Sequence, residues 1–391
     1  MHEPVNGLIY TIYYLILAAV GIPANIAAIV ILSRGKCGLS KCISYYLVGM
    51  AASDLLVVIT GVILNRIVGI YFPGSIMSMT PICSFKIVLI YASRDISVWL
   101  TVAFTFDRFV VICCGKLKTR YSTEKVAAAV VLTVFTLGCL QNIPWYFKFE
   151  PLHVINGTPW YCHTKATFYT APLWIIYSAF NCIATPFFPF FLIVLLNIVT
   201  VRFIVVASKA RKALRRHNHK DPEMENRKKS IILLFAISGS FVLLWMIFII
   251  HFLYYRITNT LTYTGYDDPV FILQEVGYML LLLSCCTNTC IYAVTQQKFR
   301  EELKNSVKYP FKQIIAFLNN REPIHECGGH VERKDKGDAG GSCALFLLAA
   351  ASRQHVLRRV GPDDDDAASL LQRSMKTSSV MEGTLDMMVA P

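Results

Sequence analysis

The sequence predicts an all-α membrane protein, a bundle of seven transmembrane helices followed by a short amphipathic eighth helix. Only 16% of the 391 residues are charged and the mean hydropathy is +0.49, whereas a soluble domain normally carries about 25% charge. The apolar residues form seven blocks, each long enough to cross a bilayer. Because strict apolar–polar alternation is absent, the blocks are predicted to be helices rather than barrel strands.

Polar loops separate the seven predicted spans, and the longer spans include interfacial turns. The first span is expected to be a retained anchor, because no basic segment precedes it and Arg34 and Lys36 follow it. A short extracellular segment, 1–7, leads into the bundle, which occupies 8–296. The predicted spans are 8–33, 43–70, 80–113, 123–147, 171–207, 229–256 and 269–295.

Basic residues are concentrated in the loops after the first, third and fifth predicted spans, with Arg34, Lys116 and Arg215 as examples. The intervening loops are poor in lysine and arginine. The positive-inside rule therefore predicts an extracellular N-terminus and a cytosolic C-terminus. Because the net charge of +13 is localised in this way, the expected partner is the lipid bilayer and not nucleic acid.

The chain after the seventh span divides into two predicted parts. Residues 297–307 place Phe299, Leu303 and Val307 on one side of a helix, so this eighth helix is expected to lie along the inner membrane surface. Residues 308–391 are predicted to be a cytosolic tail. From about residue 321 its composition is typical of disorder.

Two of the thirteen cysteines are predicted to lie on the outer side. Cys83 lies at the start of the third span and Cys162 follows the fourth, and the extracellular environment permits disulfides. We therefore expect a Cys83–Cys162 bond. The tripeptide Asn156-Gly157-Thr158 lies in the same loop and predicts glycosylation at Asn156.

Ionisable residues inside a membrane span indicate a functional site by default. At about 100° per residue, one stripe of the third span carries Arg94, Ser97, Thr101, Phe104 and Arg108. This stripe should face the bundle interior, since arginine cannot face lipid. Two interpretations of Arg94 stay open: it lines a cavity, or it forms a structural pair with Asp95.

Asp54 lies in the middle of the second span, and four polar residues of other spans fall at a similar depth. Oxygen atoms around one carboxylate could hold a hydrated sodium ion, and no other cofactor is expected. A water-filled hydrogen-bond network that joins the helices is an equal alternative. The predicted set is Asn25, Asp54, Ser97, Ser284 and Asn288.

The outer half of the bundle is predicted to hold a ligand pocket, because charged and aromatic side chains are dense there. Such a mixed pocket suits a small amphipathic molecule or a short peptide. No protein ligand set for a metal is predicted. The candidate ligand-binding residues are Lys86, Arg94, Tyr177, Trp245, His251 and Glu275.

The order of several short motifs resembles the rhodopsin-like (class A) G-protein-coupled receptors over residues 8 to about 307. The resemblance implies a plasma-membrane receptor that couples to a heterotrimeric G protein, with Asp107, Arg108, Asn197 and Tyr292 as switch residues. The motifs are Gly21-Ile22-Pro23-Ala24-Asn25, Met50-Ala51-Ala52-Ser53-Asp54, Asp107-Arg108-Phe109, Trp245, Asn288-Thr289-Cys290-Ile291-Tyr292 and Lys298-Phe299-Arg300.

Within this class the chain is most similar to the orphan G-protein coupled receptor 139 group. Pro23–Ser33, Leu244-Trp245 and the spacing from Pro189 to Asn197 carry this similarity. The chain departs from the pattern in several ways. Ile247 and Thr289 replace prolines of the sixth and seventh spans, while Ile90 and Phe248 replace an acid and an arginine of the group's pocket. The group's ligands therefore cannot be transferred, and Ile90 argues against an aminergic receptor.

A chemosensory receptor of the same fold is the alternative function, although Ala103-Phe104-Thr105-Phe106 before Asp107 differs from odorant receptors. No enzymatic activity is predicted, since a catalytic zinc needs about three protein ligands and His251 is the one histidine inside a span. A retinal protein is disfavoured because the seventh span has no lysine.

Arg227 stands where many class A receptors have an acid that holds the switch arginine. We therefore predict a weakly restrained switch with appreciable basal activity.

Overall fold

The computed structural model describes residues 5–214, 222–258 and 268–306. Within them, seven helices are long and apolar enough to cross a membrane, which confirms the predicted fold class and makes the chain a multi-pass membrane protein. Spans 1, 3, 6 and 7 are the helices Val5–Ser33, Thr80–Cys113, Pro222–Thr258 and Pro269–Thr295. Spans 2, 4 and 5 each consist of consecutive helical segments. Span 2 comprises Lys41–Val57, Val58–Ile67 and Val68–Tyr71, and span 4 comprises Glu124–Asn142 and Ile143–Lys148. Span 5 comprises Pro172–Cys182, Ile183–Phe187 and Phe188–Leu214.

Local capping explains where several spans begin. The Ser40 hydroxyl accepts a hydrogen bond from the Ile43 amide at 3.4 Å, and Thr123 caps span 4 in the same manner. Asp268 accepts from the Val270 amide at 2.8 Å, and Pro269 occupies the first turn of span 7. These contacts satisfy amides that have no partner inside the helix.

Two spans contain a π-helical segment that regular helical counting does not predict. In span 2 it covers Val58–Ile67, and in span 5 it covers Ile183–Phe187 and includes Pro186. A proline cannot donate to the preceding turn, and a wider turn accommodates this loss. A π-helical turn holds more residues than an α-helical turn, so side chains within and beyond each segment, including Arg66 within the first, are rotated relative to an ideal α-helix.

The connection between spans 4 and 5 forms a β-hairpin, an element that the sequence analysis did not predict. Its antiparallel strands are Phe149–Ile155 and Thr158–Thr164, and Asn156 and Gly157 adopt positive φ in the turn. The predicted Cys83–Cys162 disulfide is present and joins the hairpin to span 3. We call this end of the bundle the hairpin end and the opposite end the Arg108 end.

Short helices complete the described chain. They are Ile76–Ser78, Gly115–Tyr121 and Thr167–Thr170. Helical backbone resumes at 297–306 after an interruption at Gln296. The predicted placement of this segment on the membrane surface stays a prediction, and the predicted tail from residue 308 lies outside the described residues.

The core lies between spans 1, 2, 3, 6 and 7, where Tyr46, Phe104 and Tyr292 are fully buried. Large apolar side chains on the outside of the bundle are exposed, such as Leu132 at 68% and Leu173 at 82%. In water this surface would be costly, whereas a bilayer covers it. The exposed apolar belt therefore supports the membrane assignment independently of helix length.

Candidate functional site

A cavity of about 100 Å³ opens between spans 2, 3 and 7 in the hairpin-end half of the bundle. A second cavity of about 60 Å³ adjoins it on the side of spans 4, 5 and 6. Both cavities contain Tyr91, Arg94 and Tyr278 in their lining. The first is otherwise lined by Val57, Gly61, Asn65, Arg66, Ile87, Ile90, Gln274, Leu281 and Leu282.

Arg66 of span 2 forms a largely buried ion pair with Glu275 of span 7, with 3.3 Å between Nη2 and Oε1. The guanidinium also lies over the rings of Tyr14 at 5.3 Å and Tyr278 at 5.5 Å. The Tyr14 hydroxyl donates to Glu275 at 3.4 Å. Glu275 is therefore engaged outside the cavity lining, and its partner Arg66 presents the charge to the cavity.

Arg94 combines the two roles that the sequence left open. Its Nε lies 3.7 Å from Asp95 Oδ1, and its guanidinium stacks 4.7 Å from the centre of the Tyr91 ring while it lines both cavities. The other carboxylate oxygen of Asp95 accepts from Gln141 at 2.7 Å and Asn142 at 2.8 Å. Asp95 thus faces span 4, and Arg94 faces the interior.

The other predicted pocket residues lie outside the lining of these two cavities. The Tyr177 hydroxyl donates to the Gln141 carbonyl at 2.7 Å. His251 is 2% exposed, and its Nδ1 has no hydrogen-bond partner among the described residues. Lys86 is half-buried nearer the hairpin end. Tyr91, Tyr278 and Arg66 line the first cavity but are not among the predicted ligand-binding residues.

Aromatic side chains connect the cavities with the middle of the bundle. Phe248 contacts Tyr278 with 5.4 Å between ring centres, and it meets Trp245 edge-on at 5.9 Å. Trp245 also stacks on Phe241 at 5.0 Å, and its Nε1 donates to the Ser284 hydroxyl at 3.2 Å. Trp245 therefore lies beneath the cavities and is tied to span 7.

The predicted polar network around Asp54 is assembled in the next layer. Ser97 donates to one carboxylate oxygen at 2.6 Å, and the Asn288 amide donates to the other at 2.8 Å. These residues and Ser284 line a cavity of about 10 Å³. Asn25 does not reach Asp54, because its amide donates to the carbonyls of Gly21 and Cys285, so it ties span 1 to span 7.

Arg108 forms a buried ion pair with Asp107 at the other end of span 3. Its Nε donates to Asp107 Oδ2 at 2.9 Å, and its Nη1 donates to the Ser230 hydroxyl of span 6 at 3.3 Å. The Cys42 thiol contacts the other Asp107 oxygen at 3.5 Å. Ser230 was missed from sequence because serine carries no charge signal, and the side chain of Arg227 lies outside the described residues.

The two remaining predicted switch residues have separate surroundings. The Asn197 side-chain oxygen of span 5 accepts from the Ser238 hydroxyl of span 6 at 3.0 Å. Tyr292 is fully buried and packs edge-on against Phe299, with 5.8 Å between ring centres. Asn197 therefore joins span 5 to span 6, and Tyr292 joins span 7 to the helical segment 297–306.

Comparisons with known proteins agree with this architecture. The family model described as 7 transmembrane receptor (rhodopsin family) matches residues 24–292. G-protein coupled receptor 15 of Mus musculus is 23% identical over 307 residues, covering 77% of this chain and 79% of that protein. Probable G-protein coupled receptor 142 of Mus musculus is 24% identical over 306 residues, covering 78% and 74%. The FMRFamide receptor of Drosophila melanogaster is 24% identical over 308 residues, covering 73% and 51%.

Proposed function

This chain belongs to the rhodopsin family of seven-transmembrane receptors, and from that premise we propose that it binds an extracellular small molecule or short peptide and activates a heterotrimeric G protein by helix rearrangement. In this proposal the hairpin end faces outward at the plasma membrane and the Arg108 end faces the cytosol. The basic loops after spans 1, 3 and 5 support this orientation, as does the disulfide at the hairpin end.

The contact between Arg108 and Ser230 is the observation that carries the proposal. Asp107 is next to Arg108 on the same helix, so their ion pair moves with span 3. The bond to Ser230, in contrast, joins span 3 to span 6. A movement of span 6 away from the bundle axis must break this bond, and the same movement would open a cleft for the G protein.

The ligand would act by population shift. A ligand in the cavity beside Arg94 and Tyr278 would contact one arrangement of span 6 better than the other and so favour it. Tyr278 touches Phe248, and Phe248 touches Trp245, so a change at the cavity reaches the hydrogen bond from Trp245 to Ser284. We propose that the Asp54 cavity responds next and that Asp54 holds a sodium ion there.

Three features bear on the finer grouping and on the ligand type. One relative, the FMRFamide receptor, is named after a peptide, which supports the short-peptide alternative. The motifs shared with the G-protein coupled receptor 139 group support membership of that group. The first cavity has a volume of about 100 Å³, which is smaller than the roughly 300–1,000 Å³ of typical ligand sites. A ligand would therefore displace neighbouring side chains or occupy both cavities.

The proposal is tested by second-messenger levels in transfected cells without added ligand. We expect signalling above that of empty-vector cells, and we expect Arg108→Ala to remove it at equal surface expression. Arg34→Ala is the control, because Arg34 is an exposed arginine in the loop after span 1. Basal signalling that is absent through every G protein class, or unchanged in Arg108→Ala, would contradict the proposal.

A further inference from the structure

We propose that the cavity between spans 2, 3 and 7 recognises a carboxylate group of its ligand, with Arg66 and Arg94 as the binding residues. This inference rests on the proposed receptor function and deepens it by naming the chemical class of the ligand. Both guanidinium groups line the same cavity, and their side chains are only 14% and 19% exposed. Two buried cations in one lining create a site for an anion.

The acidic partners of the two arginines are not part of the lining, so the charged side chains that line the cavity are both cationic. Within the described residues, the lining of this cavity contains no aspartate or glutamate. Glu275 contacts Arg66 at 3.3 Å and Asp95 contacts Arg94 at 3.7 Å, each through one arginine nitrogen. A guanidinium offers five N–H donors in a planar fork, so these contacts balance the charge without using all donors. A ligand carboxylate can therefore bind as a further acceptor.

Aromatic stacking holds the guanidinium groups in place before a ligand arrives. Arg94 lies 4.7 Å from the centre of the Tyr91 ring, and Arg66 lies between Tyr14 and Tyr278. Stacking fixes the plane of the fork, which reduces the entropy lost when it binds a carboxylate. The two neutral amides of Asn65 and Gln274 lie in the same lining.

The other residues of the lining indicate what the rest of the ligand, beyond its carboxylate, is like. Ile87, Leu281 and Leu282 are apolar, and Tyr91 and Tyr278 add aromatic side chains to the lining. An apolar group of about one aromatic ring matches a cavity of about 100 Å³. An amine would meet two arginines and no carboxylate in this lining, so a cationic ligand is disfavoured by electrostatic repulsion.

The test uses the full chain, purified in detergent, and three probes of nearly equal shape: benzoate, benzamide and benzylamine at millimolar concentration. The readout is the thermal unfolding temperature. We expect benzoate to raise it by about 2–4 °C near saturation, and we expect benzamide and benzylamine to raise it by less than a third of that. An equal shift with benzamide, or a larger shift with benzylamine, would overturn the proposal.

Two double variants locate the binding while keeping the buried charge balanced. Arg94→Gln with Asp95→Asn, and Arg66→Gln with Glu275→Gln, each remove a complete ion pair, and each should abolish the benzoate shift. Lys165→Gln is the matched control, because it removes a positive charge directly after the second hairpin strand and outside the lining. A benzoate shift that survives either double variant would overturn the assignment, as would its loss in Lys165→Gln alone.

This readout separates the inference from the proposed function. Thermal stabilisation by benzoate requires no G protein, whereas the Arg108→Ala experiment requires signalling and no ligand. A benzoate shift without any basal signalling would support the carboxylate site and count against receptor activity. Basal signalling that depends on Arg108, without a benzoate shift, would support the receptor and reject the carboxylate site.

Discussion

The Arg108 side chain is held by a charged contact within its own helix and by a neutral contact to another helix. Replacing Ser230 by alanine removes the second contact. A hydrogen bond of this length is worth about 1 kcal/mol, or about fivefold in a two-state equilibrium. We therefore expect Ser230→Ala to increase basal second-messenger signalling by up to about fivefold at constant surface expression.

Ser208→Ala provides a matched control for this prediction. Ser208 lies on span 5, is exposed and donates to the Val205 carbonyl of its own helix. Its replacement should leave basal signalling unchanged. Equal basal signalling in wild type and Ser230→Ala would mean that the bond between spans 3 and 6 does not restrain the inactive bundle.

Asp54 poses a different problem at the same scale, because a carboxylate that is 1% exposed has only neutral donors in the contacts described. Burying an uncompensated charge is costly. A sodium ion in the adjoining cavity would supply the missing charge. The cavity volume of about 10 Å³ is close to the space that one water-sized particle needs. We therefore expect sodium chloride to raise the thermal unfolding temperature of purified protein more than choline chloride does.

Asp54→Asn tests whether this sodium effect belongs to the predicted site. The variant keeps the shape of the side chain and removes its charge, so the difference between the two salts should disappear. Thr60→Val serves as control, because Thr60 is a buried polar residue of the same span that bonds to Ser93. If wild type responds equally to both salts, the Asp54 cavity holds water and not sodium.

At the scale of elements, spans 6 and 7 pack closely because Gly277 has no side chain. A β-carbon at this position would lie about 3.0 Å from the Phe248 Cα atom, which belongs to the backbone and cannot rotate away. Overpacking of this kind costs about 1–3 kcal/mol. We expect Gly277→Ala to lower the unfolding temperature and to reduce surface expression.

Gly239→Ala is the matched control for the close approach of these spans. A β-carbon at Gly239 of span 6 would meet nothing within 4 Å, so this change should be neutral or slightly stabilising through helix propensity. If Gly277→Ala is as stable as Gly239→Ala, the two spans can separate without cost, and their contact cannot transmit a change from Tyr278 to Trp245.

The elements that sequence predicted well are those whose limits follow from local chemistry. Span 7 begins at Pro269 after the Asp268 cap, and spans 3 and 7 have the predicted limits. The hairpin was missed because its two strands are short and its turn signal, Asn156-Gly157, lies between mixed polar and aromatic residues. The π-helical segments were missed because residue type alone does not predict them: Ile183–Phe187 contains Pro186, whereas Val58–Ile67 contains no proline.

The same distinction explains which parts of the candidate site were predictable. Asp54, Ser97 and Asn288 lie on the inner faces of their helices at a similar depth, and Asp54 precedes the π-helical segment of span 2. Depth and polarity therefore sufficed to group these three residues. Beyond Val58 the π-helical segment rotates span 2, and Arg66 forms its ion pair with Glu275 from within this segment. Single-sequence phase counting cannot detect such a rotation, because it assumes 3.6 residues per turn.

At the scale of the whole molecule, opposite features separate the two ends of the bundle. The disulfide and the β-hairpin lie at one end. Exposed basic residues such as Lys116 and Arg120 belong to the short helix Gly115–Tyr121, which follows span 3 at the Arg108 end. The positive-inside rule and the redox difference across the membrane are independent physical effects, and they favour the same orientation.

The hairpin offers a direct measurement of that orientation. Asn156 lies in the exposed turn at positive φ, and Thr158 follows at the start of the second strand. A glycan can be attached to this turn only if the hairpin end faces the lumen of the secretory pathway. We expect a glycosidase that removes N-linked glycans to increase the gel mobility of wild type and to leave Asn156→Gln unchanged.

Thr158→Ala should behave like Asn156→Gln, since it destroys the same tripeptide, while Asn181→Gln in span 5 should keep the glycan. A glycan that persists in Asn156→Gln would contradict the assignment of this site. Wild type that carries no glycan, together with an antibody epitope on the hairpin that is reached only after permeabilisation, would reverse the proposed orientation, and the Arg108 end could then no longer meet a cytosolic G protein.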